Sequence, residues 1–106
     1  MGDRGQVLIK DEGIYLYTHW GATELTETVR RAMAKRRRWD DPEYLARIIF
    51  DEMIGKEQGQ ETGFGISKNK HGDVWKLITV DCKPQKVTVE EHGKTKFKGT
   101  FEEFIT

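Results

Sequence analysis

Tyr15, Tyr17, His19 and Trp20 lie in a short stretch, Tyr15-Leu16-Tyr17-Thr18-His19-Trp20-Gly21, that runs from a strand-like pattern into a helical one. It sets an imidazole, an indole and two phenols at a strand-to-helix junction, where the backbone turns away and leaves side chains facing solvent. An imidazole there can donate or accept a proton or ligate a metal, and the aromatics can stack on a partner. The same residues also serve as a half-buried aromatic ladder in which His19 satisfies a nearby backbone group. No second catalytic group stands at a fixed spacing from His19, so the motif alone defines no reaction.

Three other groups invite chemistry. Arg30, Arg31, Lys35 and the run Arg36-Arg37-Arg38-Trp39 are basic, with an indole placed to stack on a base. Asp40, Asp41 and Glu43 follow at once and weaken a polyanion site; cations at the end of a helix also complement its dipole without any partner. Carboxylates at Asp40 and Asp41 suit a hard cation, but Asp41 before Pro42 is also a helix cap, and no third ligand stands at a recognised spacing. Glu61-Thr62-Gly63-Phe64-Gly65 places two glycines around an aromatic ring, as where the backbone passes close to something. That stretch precedes a strand rather than linking a strand to a helix, so it lacks the geometry of a phosphate cradle. Cys82, His71 and His92 fall in turn-like segments, and Cys82 has no histidine placed as its base.

The elements that must position these residues read clearly. Val7–Ile9 and Ile14–His19 form two strands around Asp11-Glu12-Gly13, a hairpin loop with Gly13 in the left-handed conformation. Thr23 suits the N-cap of a helix whose apolar stripe is Leu25, Val29, Ala32 and Met33. Asp41 and Pro42 open a second helix, with Leu45, Ile48, Ile49 and Met53 as its stripe and Gly55 as its end. Phe64–Ser67, Val74–Val80, Lys86–Glu91 and Thr95–Lys98 read as further strands, and Thr100 to Glu103 has the spacing of a capping box for a short terminal helix. The expected fold is therefore α+β: an N-terminal hairpin and a C-terminal meander in an antiparallel sheet, with two helices inserted between them and packed on one face. Alternation puts Tyr15, Tyr17 and His19 on one sheet face and Ile14, Leu16 and Thr18 on the other. Which of the two faces the helices cover is left open by this pattern.

The chain has 106 residues, enough for one domain over residues 1–106 with a modest core. Charged residues make up 34% and the formal net charge is zero, so steering must come from local patches. A single cysteine excludes an internal disulfide and fits a cytoplasmic setting. No apolar run is long enough to span a bilayer, and the start has no apolar leader region.

Met1-Gly2-Asp3-Arg4-Gly5, Tyr15-x-Tyr17-x-His19-Trp20-Gly21, Trp39-Asp40-Asp41-Pro42 and Glu61 to Ser67 together resemble a group of small prokaryotic and phage-borne proteins. Those open on Met-Gly-x-Arg-Gly and carry Tyr-x-His-Trp after a first hairpin. The resemblance singles out Arg4, Tyr17, His19, Trp20, Asp40, Asp41 and Gly65, and implies no activity, since none is established for the group. The hairpin start also resembles that of N-terminal nucleophile hydrolases, but Gly2 has no side chain to act as nucleophile.

These readings converge on a binding or regulatory module without catalysis or cofactor, its partner a protein or a small anionic ligand. The expected face combines Tyr17, His19 and Trp20 with Trp39, Asp40, Glu61 and Gly65, and Arg4 offers a forked cation to an anion. His19 and Trp39 are both expected on it, removable with little loss of stability. Two alternatives stand beside it. One is a hydrolase or nuclease-like enzyme with His19 as general base and Asp40 or Asp41 orienting it or holding a metal. The other is nucleic-acid binding through the basic helix end. Open sheet edges also allow a homodimer.

Overall fold

Short runs of β-branched and aromatic residues become strands, and two segments with helical apolar spacing become the helices that cover them. The computed structural model describes residues 2–106. In chain order it contains β1 (Gly5–Ile9), β2 (Ile14–Thr18), α1 (Ala22–Met33), α2 (Pro42–Ile54), β3 (Phe64–Ser67), β4 (Lys76–Asp81), β5 (Lys86–Glu91), β6 (Lys94–Thr100) and α3 (Phe101–Ile105). This is the α+β architecture expected, with both long helices between strands and a short helix at the end. Among the described residues no helix is long and apolar enough to cross a membrane.

The six strands form one sheet in the order β3-β2-β1-β4-β5-β6. Four of the five strand pairs are antiparallel; β1 and β4, at the centre, are parallel, with Gly5 opposite Lys76 and Ile9 opposite Val80. The meander therefore joins the hairpin through a parallel pair, which local strand patterns do not reveal. Parallel neighbours cannot be closed by a tight turn. Here the chain leaves β3 on one edge, passes β2 and β1, and returns to start β4 at the level of Gly5.

Local signals set the element ends. Gly13 takes φ 66° in the hairpin loop and Gly55 φ 56° after α2, positions that an L side chain adopts with strain. Asp41 accepts a hydrogen bond from the Tyr44 amide with Pro42 behind it, and Thr100 with Glu103 closes a full capping box on α3. The cap of α1 is different. Thr23 lies inside the helix, Gly21 is the capping residue, and no side chain of its own caps it. The Thr23 amide donates instead to Asp3 Oδ2 at 2.7 Å, a carboxylate brought across from the chain start. An acidic group at the positive helix end is favourable wherever in the chain it originates.

The helices cover the aliphatic face. Val7, Ile9, Leu16, Ile78, Val80, Val87 and Val89 meet Leu25, Val29, Met33, Leu45 and Ile49 in a single core, closed at one end by Phe101 and Phe104. Tyr15 and Tyr17 consequently stand on the other face, half-buried. That face is not bare. The crossover from β3 to β4, residues 68–75, lies over it and is held by Gln6, a fully buried amide in β1. Gln6 Nε2 donates to the Asn69 carbonyl at 3.2 Å, and its Oε1 accepts from the His71 amide at 2.9 Å. The Trp75 amide then donates to the Arg4 carbonyl, which leads the chain into β4.

Replacing Gln6 with Ala removes both bonds and leaves an amide and a carbonyl of the crossover under-satisfied. The expected loss of unfolding free energy is about 2–4 kcal/mol, measured by urea denaturation. A loss under about 0.5 kcal/mol, the size of an ordinary surface substitution, would show that the strap is held by other contacts.

Candidate functional site

Where β1, β2 and β4 begin or end together, the backbone ladder runs one residue past the strand ends. The Asp3 amide donates to the His19 carbonyl at 2.7 Å, the His19 amide to the Gly63 carbonyl at 2.8 Å, and the His92 amide to the Trp75 carbonyl at 2.7 Å. Arg4, His19, Gly63 and Trp75 thereby share one rim of the sheet. His19 lies between two donors on this rim. Arg4 Nε donates to His19 Nδ1 at 3.3 Å, and the Tyr17 hydroxyl lies 3.2 Å from the same nitrogen. A guanidinium has only protons to give, so Nδ1 is the acceptor and the proton of the neutral ring resides on Nε2. Nε2 faces Gly2, where a Cβ would approach it to 2.9 Å. Arg4 also pairs with Asp73 at 2.9 Å, and the Tyr17 ring stacks on His71 with centroids 4.5 Å apart.

Trp20 packs edge-on against His19, centroids 4.5 Å apart, yet 57% of its surface is exposed. Its ring lies against Gly63, whose backbone has φ +100° and where a Cβ would meet the indole at 2.8 Å. The segment, which reads foremost as a turn into a strand, here brings the Gly63 backbone close to the indole. Gly65 is different: space beside it is open, and it simply pairs with Tyr17 in the β2–β3 ladder. Trp20 stands as a wall between two concavities. One, about 410 Å³, is lined by Tyr17, His19, Trp20, Thr62, Gly63 and Phe64. The other, about 340 Å³, continues past Trp20 and Phe64 to Met53 and Ile54, with Glu24, Arg31 and Glu52 around it. Glu61 is exposed in the loop that leads into this wall.

Trp39, Asp40 and Asp41 do not join this rim. His19 precedes α1 and Trp39 follows it, so a helix of 12 residues, about 18 Å long, separates them. Asp41 instead lies near enough to Cys82, just past the far end of β4, to act on its charge. Trp39 is a packing residue: its indole donates to the Met33 carbonyl at 3.0 Å, its ring packs edge-on against Phe101, and Arg36 covers it. The face expected to combine Trp39 with His19 is thus split between the two ends of α1. The catalytic pairing of His19 with Asp40 or Asp41 is not assembled either. Among the described residues no three His, Cys, Asp or Glu side chains form a metal-binding group.

The basic run is largely neutralised. Arg31 and Lys35 pair with Glu52, Arg30 with Glu27, Arg36 with Glu102, and Arg38 with Asp41. Cys82 is inert as a nucleophile. Burial first, and the charge of Asp11 next, push its thiol up to about 12.

Several residues of the rim carry no sequence signal. Asp3 accepts from the Thr23 amide and, through Oδ1, from the Trp75 indole at 2.7 Å. His71 and His92, read as turn residues, stack on Tyr17 and Trp75 respectively. Their turn placement is right, but the rings fold back over the sheet. A lone acid ahead of the first strand is the one hint of Asp3's role, and it does not name a partner twenty residues away.

No protein family, curated protein or solved structure matches the chain. The reading of the site rests on its own geometry.

Two measurements check this placement. Burial alone would raise the Asp3 pKa, but hydrogen bonding by Thr23 and the Trp75 indole, with the charge of Lys76, outweighs it and holds the carboxyl below its ordinary value. A depressed folded-state pKa contributes stability in full above the unfolded aspartate value of about 3.9, and that stability is lost as pH falls through the folded value. Asp3→Asn should therefore be less stable than the parent at pH 7, with the gap closing as pH is lowered below 4; a gap independent of pH would refute the ionised cap. Trp39→Ala, in turn, should lose roughly 2–3 kcal/mol of stability for a half-buried indole in chemical denaturation. An unchanged midpoint would return Trp39 to the surface.

Proposed function

We propose that the protein is a small binding module without catalysis of its own, which recognises a protein partner through the Trp20 wall and the two concavities beside it. The observation that carries this reading is Trp20 itself. It is a large apolar side chain held in one place by Gly63 and His19, yet more than half exposed. Isolated exposed apolar residues are ordinary, but a rigid indole beside two concave surfaces is the arrangement found at the centres of interfaces. Ile66, 62% exposed on the adjoining edge strand β3, extends the apolar surface.

The two sheet edges support the same side of the molecule. β6 carries Lys94, Lys96 and Lys98, all exposed, a common guard against edge-to-edge pairing. β3 has the sequence Phe-Gly-Ile-Ser and no charge, so a partner strand, or β3 of a second copy, meets no repulsion there. The anionic ligand anticipated at Arg4 has a competitor already in place, since Asp73 occupies that guanidinium. This favours an apolar anchor over an anion at the rim. A His19-dependent enzyme is less well supported, because Arg4 and Tyr17 both lie against Nδ1 and, among the described residues, no carboxylate orients the ring.

The test is a peptide library displayed on phage and selected on the whole protein. Selected peptides should bind Trp20→Ala more weakly by about 2 kcal/mol, roughly thirtyfold, while the variant unfolds within about 1 kcal/mol of the parent. Peptides that bind the variant equally well place recognition elsewhere.

A further inference from the structure

The far end of α1 holds a third concavity, which the Trp20 reading does not use. It lies between the C-terminal end of α1 and the outer face of α2, has a volume of about 650 Å³, and is lined by Lys35, Arg37, Arg38, Arg47, Tyr44 and Asp51 among others. Four cations face one carboxylate. The remaining acids are set behind the cations: Glu52 holds Lys35 at 3.1 Å and Asp41 holds Arg38 at 3.5 Å, while Asp51 pairs with Arg47 at 2.6 Å from the wall itself. Such pairing fixes where each cation sits. Arg37 differs, being exposed and forming no ion pair among the described residues.

The backbone makes the same point independently. Arg36 and Arg38 both have positive φ, 55° and 61°, a conformation that glycine adopts without strain and arginine does not. Local strain of this kind is retained where side chains are needed in one place. At Arg36 the need is structural, through Glu102 and Trp39. At Arg38 the result is a guanidinium laid over the Tyr44 ring, 4.6 Å from its centroid, with Tyr44 itself 50% exposed. A guanidinium stacked on a phenol is a flat cationic platform, and planar heteroaromatic bases stack on such platforms. The basic helix end thus presents Tyr44, not the expected Trp39, as its aromatic partner.

We propose that this interhelical cleft binds a nucleotide: its phosphates on Arg37, which has no ion pair among the described residues, and its base on the Arg38–Tyr44 stack. Both halves of the ligand are needed by the site. Phosphate alone uses the cations and leaves the platform empty, and a neutral ring alone gains nothing from Arg37. At about 650 Å³ the cleft lies well within the usual range for small-ligand pockets, about 300–1,000 Å³. The same chemistry is offered by a free nucleotide and by a nucleotide unit within a single strand.

The experiment is an NMR titration of the full chain with ADP, adenosine, inorganic pyrophosphate and a short single-stranded oligonucleotide. ADP should shift the amides of Arg37, Arg38, Tyr44 and Arg47, and adenosine and pyrophosphate should each bind about tenfold more weakly, a difference of 1.4 kcal/mol. Arg37→Glu, at an exposed position with no ion pair to lose, should weaken ADP by about tenfold or more with unfolding unchanged. Tyr44→Ala should weaken ADP while leaving pyrophosphate unaltered. Tighter binding of the oligonucleotide, falling steeply with salt, identifies the strand as the source; equal or tighter binding of ADP identifies the free nucleotide. No shift at this cleft with millimolar ADP, or equal ADP affinity in Arg37→Glu, overturns the proposal. So does pyrophosphate binding as tightly as ADP.

Discussion

Three of the five strand pairs in this sheet are hairpins closed by local turns and the β2–β3 pair is joined through both long helices, but the central parallel pair requires the chain to be carried back across one face. That crossing exposes backbone groups over a surface with little water, and each must find a partner. Gln6 supplies two partners at once, one donor and one acceptor, from a fully buried position in the strand being crossed. A buried amide is costly unless all its bonds are made, so the requirement runs both ways. The strap satisfies Gln6, and Gln6 fixes the strap. Everything on the rim follows from it: His71 is delivered onto Tyr17, Asp73 onto Arg4, and Trp75 onto Asp3.

Asp3 does for the helix layer what Gln6 does for the strap. Its two carboxylate oxygens accept from the first turn of α1 and from the indole that opens β4, while its backbone bonds to His19 and to Ala22. Helix, hairpin and central strand thus meet at one residue near the chain start. Beneath it, Lys76 is buried in the helix-facing side of β4 and donates to the Thr23 carbonyl and the Thr26 hydroxyl, with Glu91 as its ion-pair partner. A buried ion is tolerable only with such a complete set of partners. His19 is held on this rim by Arg4, Tyr17 and Trp20 together, and pre-ordered side chains lose less entropy on binding.

The zero net charge conceals an uneven arrangement. Along α1 and α2, cations and carboxylates pair across the helix surface, and most of these pairs are exposed and individually weak. Their effect is on position more than on stability. Among the described residues they leave Arg37 without an ion pair at one end of α1, while at the other end Trp20 and Ile66 are exposed beside a half-buried Phe64. The two ends of a single helix therefore present different chemistry, apolar at the sheet rim and cationic at the interhelical cleft.

Periodicity and caps were legible in the residues themselves: the hairpin around Gly13, both apolar helix stripes, Asp41-Pro42, and the Thr100–Glu103 box all act over a few residues, and their physics is local. The α+β class follows from the order of those elements, and the shared face of Tyr17 and His19 from alternation along a strand. What only the tertiary structure decided are the relations between distant segments. The parallel β1–β4 register and the capping of α1 by Asp3 in place of Thr23 both depend on partners tens of residues away. A hydrogen-bond donor such as the Thr23 amide donates to any carboxylate that geometry brings within reach, so the local sequence could nominate Thr23 but could not exclude Asp3. Side-chain type and spacing specify what a segment can do; one buried amide, Gln6, and one half-buried carboxylate, Asp3, 20 to 72 residues from their partners in the chain, specify where it does it.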